Sequence, residues 1–143
     1  MPKFYEFRDS LLESIEQDAE RVSINVRAVR AEVEDGGHAP SNHLRQEIRL
    51  VLEGAELTVD SPNLPTWLLE GSFRSDTLDA DQPDCGVDGT LPVSLRSAGG
   101  VELVLSGLHE GSGDFVTIRV RARSLTLEAL GEPLALQHTR ASI

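Results

Sequence analysis

Val116-Thr117-Ile118-Arg119-Val120-Arg121-Ala122-Arg123 alternates apolar and polar side chains without a break. Successive side chains of a β-strand point to opposite faces, so one side of this stretch suits a core and the other suits water. A half-solvated strand of this kind belongs to an antiparallel sheet. On its wet side Arg119, Arg121 and Arg123 stand in line.

The same period of two recurs outward from it. Val101, Leu103 and Leu105 share a parity, and Gly111-Ser112-Gly113-Asp114 supplies the turn that joins them to Val116 as a hairpin. Leu91, Val93 and Leu95 precede them, with a turn expected over Ser97 to Gly100 and hence a second hairpin. Leu44, Gln46, Ile48, Leu50 and Leu52 alternate with polar neighbours, and Leu57 and Val59 resume the pattern after Gly54. Val22, Ile24, Val26 and Ala28 begin another strand, whose parity slips at Val29, as a β-bulge would make it. Trp67, Leu69 and Phe73 share a parity with Gly71, which predicts Trp67 in the core and a close neighbour over the glycine. Leu125 and Leu127 shift parity once more, and a last short strand is expected near residues 134–137.

One segment has a different period. Phe4, Phe7, Leu11, Leu12, Ile15, Ala19 and Val22 recur at three-and-four spacing, and Ser10 and Glu13 have capping-box spacing. This predicts a helix over about residues 10 to 20. Leu50-Val51-Leu52-Glu53-Gly54 and Leu103-Val104-Leu105-Ser106-Gly107 share a pattern, but their flanks do not repeat, so two strands that each end at a glycine explain it. The expected fold is mainly β: an antiparallel β-sandwich or flattened barrel of about seven to nine short strands with one N-terminal helix. Residues 1–143 form a single domain, since a chain of this length buries roughly 68–70% of its unfolded surface and leaves no room for a second core.

Charge narrows the function. The chain carries 24 acidic and 13 basic side chains, a formal charge of −11. Phosphate binding needs a positive field, so nucleic acid and an anionic membrane surface are poor partners. Few aromatic rings are present to stack bases. Cys85 is the only cysteine, which excludes an intrachain disulfide, and its aspartate-rich surroundings disfavour the thiolate. The N-terminus lacks the apolar stretch of a signal peptide and no run approaches the ~20 apolar residues of a membrane span, so the cytoplasm is the expected location. Twelve Arg against one Lys fits a GC-rich bacterial genome.

Three groups of residues bear on chemistry. Asp76, Asp79, Asp81, Asp84 and Asp88 fall in the acidic loop of about residues 74–90, which holds oxygen ligands suited to Ca²⁺ but lacks the EF-hand pattern. Asp79-Ala80-Asp81 followed by Asp88-Gly89 resembles the third calcium loop of C2 domains over a dozen residues. That resemblance implies a Ca²⁺ site in this loop. Its last aspartate is one position off the expected spacing, and only Asp60 stands for the opposing loop's usual pair. His38, His43, His109 and His138 have no metal-ligand spacing. Arg119, Arg121 and Arg123 make a local +3 patch, read either as cross-strand pairing with Glu47, Glu53 or Glu102, or as an anion or partner site.

No nucleophile elbow, phosphate loop or dinucleotide fingerprint occurs, so a non-enzyme is favoured, with a hydrolase of dispersed residues as the remaining enzymatic reading. The leading functional expectation is an acidic protein-binding domain, an inhibitor or immunity-type partner of a basic protein. The alternative is a small-ligand or Ca²⁺-binding β domain that uses the Asp76 to Asp88 loop. An apolar pocket would favour the second and a packed interior the first. A free sheet edge would leave room for a homo-oligomer.

Overall fold

The computed structural model describes residues 3–32, 42–60, 64–75, 89–92 and 96–135. Their regular structure is entirely β: β1 (Lys3–Asp18), β2 (Arg21–Glu32), β3 (Asn42–Glu53), β4 (Glu56–Asp60), β5 (Thr66–Ser75), β6 (Thr90–Pro92), β7 (Arg96–His109), β8 (Phe115–Ala129) and β9 (Leu134–Ala135). All the ladders are antiparallel. The strand order is β4-β8-β7-β5-β1-β2-β3-β9, with β6 on β1 and a further pairing between β8 and β3.

The expected N-terminal helix is not formed, and no helix that could cross a membrane occurs among the described residues. Residues 10 to 20 instead belong to β1 and to the tight turn at Ala19 and Glu20. The reason lies in the register. Glu6 pairs with Val29 and Leu11 with Arg27, so Phe7, Arg8, Asp9 and Ser10 stand opposite Ala28 alone. This bulge separates Phe7 from Leu11 by four positions while both stay buried, and it therefore mimics a helical stripe on a strand. Asp9 takes a φ of 67° within it, a left-handed conformation that aspartate adopts more readily than most residues.

The capping-box serine closes this bulge. Ser10 Oγ donates to the Glu6 carbonyl at 2.6 Å and accepts the Val29 N–H at 2.9 Å. The bulge also explains the parity slip in β2, where Ala28 and Val29 are both buried. The β2–β3 register runs without a break from Val22↔Leu52 to Glu32↔Asn42, so the extra residues lie in β1 and not in β2.

β3 and β4 pair with β8 in one continuous register, from Ile48↔Ala129 to Asp60↔Thr117. Gly54, with a φ of +61°, bends the chain between them, and any Cβ there would collide with the Arg123 guanidinium. Gly107 serves a different need. Its missing Cβ lets the β5 backbone at Trp67 and Leu68 pass close by, beside the β5 bulge between Leu68 and Glu70. The shared Leu-Val-Leu-x-Gly pattern thus answers two unrelated local demands.

Two further expectations are corrected. Ser97 to Gly100 does not turn the chain; Gly99 and Gly100, with φ of 90° and 94°, form a bulge inside β7. β6 accordingly pairs with β1 and not with β7. The β5 bulge also splits the expected face of that strand. Leu68 is buried, Leu69 is exposed and Trp67 is half-buried outside the core, whereas Gly71 and Phe73 lie opposite the buried Leu105 and Leu103. The room left at Gly71 is taken by the Phe7 ring.

Val22, Ile24, Ile48, Leu50, Leu52, Leu68, Leu103, Leu105, Ile118, Val120 and Leu125 are almost fully buried in one cluster. Each such side chain contributes roughly 1.5–3 kcal/mol of transfer free energy. Five polar residues are also buried among the described residues, and Gln46 is one of them. Gln46 accepts from Tyr5 Oη at 2.7 Å and from Arg30 Nη1 at 3.0 Å through Oε1, and donates from Nε2 to the Gly131 carbonyl at 2.7 Å.

Candidate functional site

The alternation that buries Val116, Ile118, Val120 and Ala122 turns Phe115, Thr117, Arg119, Arg121 and Arg123 outward. Register extends this outer face across four strands. Trp67, Leu108 and Phe115 form one cross-strand row; Glu70, Ser106 and Thr117 form the next. Ser72, Val104, Arg119 and Thr58 follow, and then Arg74, Glu102, Arg121 and Glu56. The face therefore grades from large apolar side chains, through rows that mix small residues with Glu70 and Arg119, to a row of alternating charge.

The arginine line is paired in part. Arg121 Nε donates to Glu102 Oε2 at 3.0 Å, Arg119 Nε lies 4.0 Å from the same oxygen, and Arg123 Nη2 reaches Glu20 at 3.4 Å. The hydrogen bond from Arg121 holds the Glu102 carboxyl below its ordinary value, with Arg119 and Arg74 adding to the effect. Of the expected partners, Glu102 is thus found on the line; Glu47 and Glu53 instead pair with Arg27 and Arg21.

Two open grooves lie on this side among the described residues. One of about 370 Å³ is lined by Glu56, Thr58, Thr117, Arg119 and Arg121. The other, of about 640 Å³, runs beside β5 where β1 has diverged from it, and includes Arg8, Glu70, Ser72 and Arg74. Both are solvent-open depressions on the outer surface.

The opposite outer face is closed by its own pairs. Arg21–Glu53 at 2.6 Å, Arg27–Glu47 at 2.8 Å and Arg49 to Asn25 at 3.1 Å bridge β2 and β3. Glu13 approaches Arg27 at 3.6 Å, yet its Oε1 is buried without a hydrogen bond.

Asp76, Asp79, Asp81, Asp84, Asp88 and Cys85 lie outside the described residues, as do His38 and His138. His43 is exposed and stands 3.8 Å from Glu6. His109 closes the β7–β8 turn: its Nδ1 accepts the Ser112 N–H at 3.1 Å and meets Ser112 Oγ at 2.8 Å, and that oxygen accepts the Asp114 N–H at 3.1 Å. This serine–histidine contact is used up in turn closure and no third group orients the imidazole among the described residues. No group of three or more His, Cys, Asp or Glu side chains is placed to hold a metal ion among the described residues.

Leu108 and Phe115 do not stand out in the sequence, although their parity marks them. Phe115 shares the outward parity of Arg119, and Leu108 that of Glu102. The chain matches no protein-family model, and no curated protein or solved structure is significantly similar to it.

Proposed function

We propose that this chain is a non-enzymatic, acidic protein-binding domain whose contact surface is the outer face of β5, β7, β8 and β4. In this reading the ladders running β1-β2-β3-β8-β7-β5 and back to β1 close a flattened barrel, whose filled interior serves as a rigid support. The observation that carries the proposal is the row Trp67–Leu108–Phe115, where Leu108 is 39% and Phe115 56% exposed on adjacent strands. Single exposed apolar residues are ordinary; adjacent ones bordered by polar and charged rows have the layout of an interface centre and rim.

Two facts support binding of a macromolecule over a small ligand. The core cluster is packed with aliphatic side chains, and the described grooves are shallow and outward-facing. The charge of −11 adds long-range attraction for a basic partner, of the kind an inhibitor or immunity-type protein uses, and salt would weaken it. A photo-reactive amino acid at position 115, with position 51 on the paired face as control, tests the proposal in the native cell. Protein adducts at 115 and none at 51 are expected. An absence of adducts at 115 would refute it.

A further inference from the structure

We infer that the occupant of this face is a second copy of the chain, docked face to face about a two-fold axis that runs along the strands between β7 and β8. The inference rests on the protein-binding reading of this face but puts a second copy in place of a basic partner, and the mass of the adducts at position 115 distinguishes the two. Such an axis exchanges β7 with β8 and β5 with β4 while keeping each row in place. Reversed in this way, Arg74–Glu102–Arg121–Glu56 becomes its own charge complement: Arg121 meets the second copy at Glu102, and Arg74 meets it at Glu56. In the apolar row Leu108 meets Phe115 twice over. In the rows between, Thr117 meets Ser106, Ser72 meets Thr58 and Arg119 meets Val104. Glu70 falls over the register position of Asp60.

Local charge opposes that of the whole chain here. A chain of −11 repels its own copies in general, but these rows hold three arginines (Arg74, Arg119, Arg121) against three glutamates (Glu56, Glu70, Glu102), with Asp60 a fourth acid by register. Closed two-fold contacts are the commonest form of self-association and require self-complementary patches of this sort. Strands about 4.8 Å apart and rows about 6.6 Å apart give a patch of about 500 Å² per copy. A total near 1,000 Å² lies at the lower limit for a specific interface, so the dimer dissociates on dilution.

Sedimentation velocity over about a hundredfold concentration range tests this. The parent chain is expected to shift from monomer to dimer. Arg121→Glu and Glu102→Arg should each remain monomeric, because each places like charges across the axis twice. Mixed in equal amounts they should dimerise, since the introduced glutamate of one then faces the introduced arginine of the other, although each chain keeps its internal repulsion. Phe115→Glu, at an exposed position, provides a monomeric control should either charge variant fail to fold. A parent that stays monomeric throughout, or a mixture no more associated than its components, would overturn the inference. Adducts at position 115 of some mass other than a doubled chain, together with a monomeric parent, would do so while leaving the protein-binding reading intact.

Discussion

Ser10 Oγ accepts the backbone N–H of Val29 at 2.9 Å, across the place where four residues of β1 face one of β2. Val29 pairs with Glu6 at the edge of the bulge, and the buried serine supplies an acceptor for its N–H. Ser10→Ala leaves that N–H buried and unpaired, which costs roughly 1–3 kcal/mol. Urea titration should show a lower midpoint with an unchanged slope; an unshifted midpoint would mean that water satisfies the amide.

Two glycines should respond oppositely to rescue. A Cβ at Gly71 would stand 2.5 Å from Phe7 Cγ, so Gly71→Ala overpacks the core and costs roughly 1–3 kcal/mol. Phe7→Ala removes the obstructing Cγ and ring and leaves Leu105 Cδ2 at 2.9 Å, so Gly71→Ala should then be clearly less damaging than in the parent. At Gly107 the obstacle is the Trp67 carbonyl, part of the backbone, so no side-chain change should relieve Gly107→Ala. Equal costs of Gly71→Ala with and without Phe7 would contradict the packing.

These sites show where the sequence is legible. β2 as far as Ala28, β3, and β8 as far as Ala122 are readable because each buries every second residue over that stretch, and the 111–114 turn because its glycines sit between two such runs. The arginine line follows from parity alone. Bulging is what misleads: an extra residue changes the period seen in the sequence but not the face that is buried. In β1 this imitates a helix, with Ser10 in the position of a cap; in β5 it moves Trp67 off the core; in β7 it disguises Gly99-Gly100 as a turn. The β3–β8 pairing links residues roughly 70 to 80 apart, a distance over which local pattern carries no information.

The Glu13 and Glu102 carboxyls should give opposite pH signatures. Burial, reinforced by Glu47, raises the Glu13 value above 4.5, so the fold favours its neutral form. The stability it contributes is complete below the unfolded value and is lost as pH rises through the folded one. Glu13→Gln should therefore be more stable than the parent at neutral pH, with the difference vanishing below about pH 4. Thermal unfolding as a function of pH reads this directly, and a variant less stable at pH 7 would count against it.

Glu102 has the reverse sign. The Arg121 hydrogen bond lowers its value, so the pair stabilises the fold above the unfolded value and ceases to do so as pH falls through the folded one. Arg121 is largely exposed, which limits the loss in Arg121→Ala to about 1 kcal/mol or less at neutral pH. Measured in dilute protein to exclude association, the gap to the parent should close on acidification; a gap that widened would exclude this pairing as its source.

Gln46 should matter more than the tyrosine that donates to it. Its side chain satisfies three groups at once: the Tyr5 hydroxyl, the Arg30 guanidinium and the Gly131 carbonyl. Tyr5→Phe removes one donor and leaves Gln46 Oε1 bonded to Arg30, which costs roughly 1 kcal/mol. Gln46→Leu fills the same space but removes all three bonds, two of them to groups with little exposure, and although Arg30 keeps Glu32 at 3.4 Å it should cost roughly 2–3 kcal/mol. In the Tyr5→Phe background Gln46→Leu should be less damaging, because one stranded group is already gone. Strict additivity of the two substitutions would show that the three bonds do not act as one network.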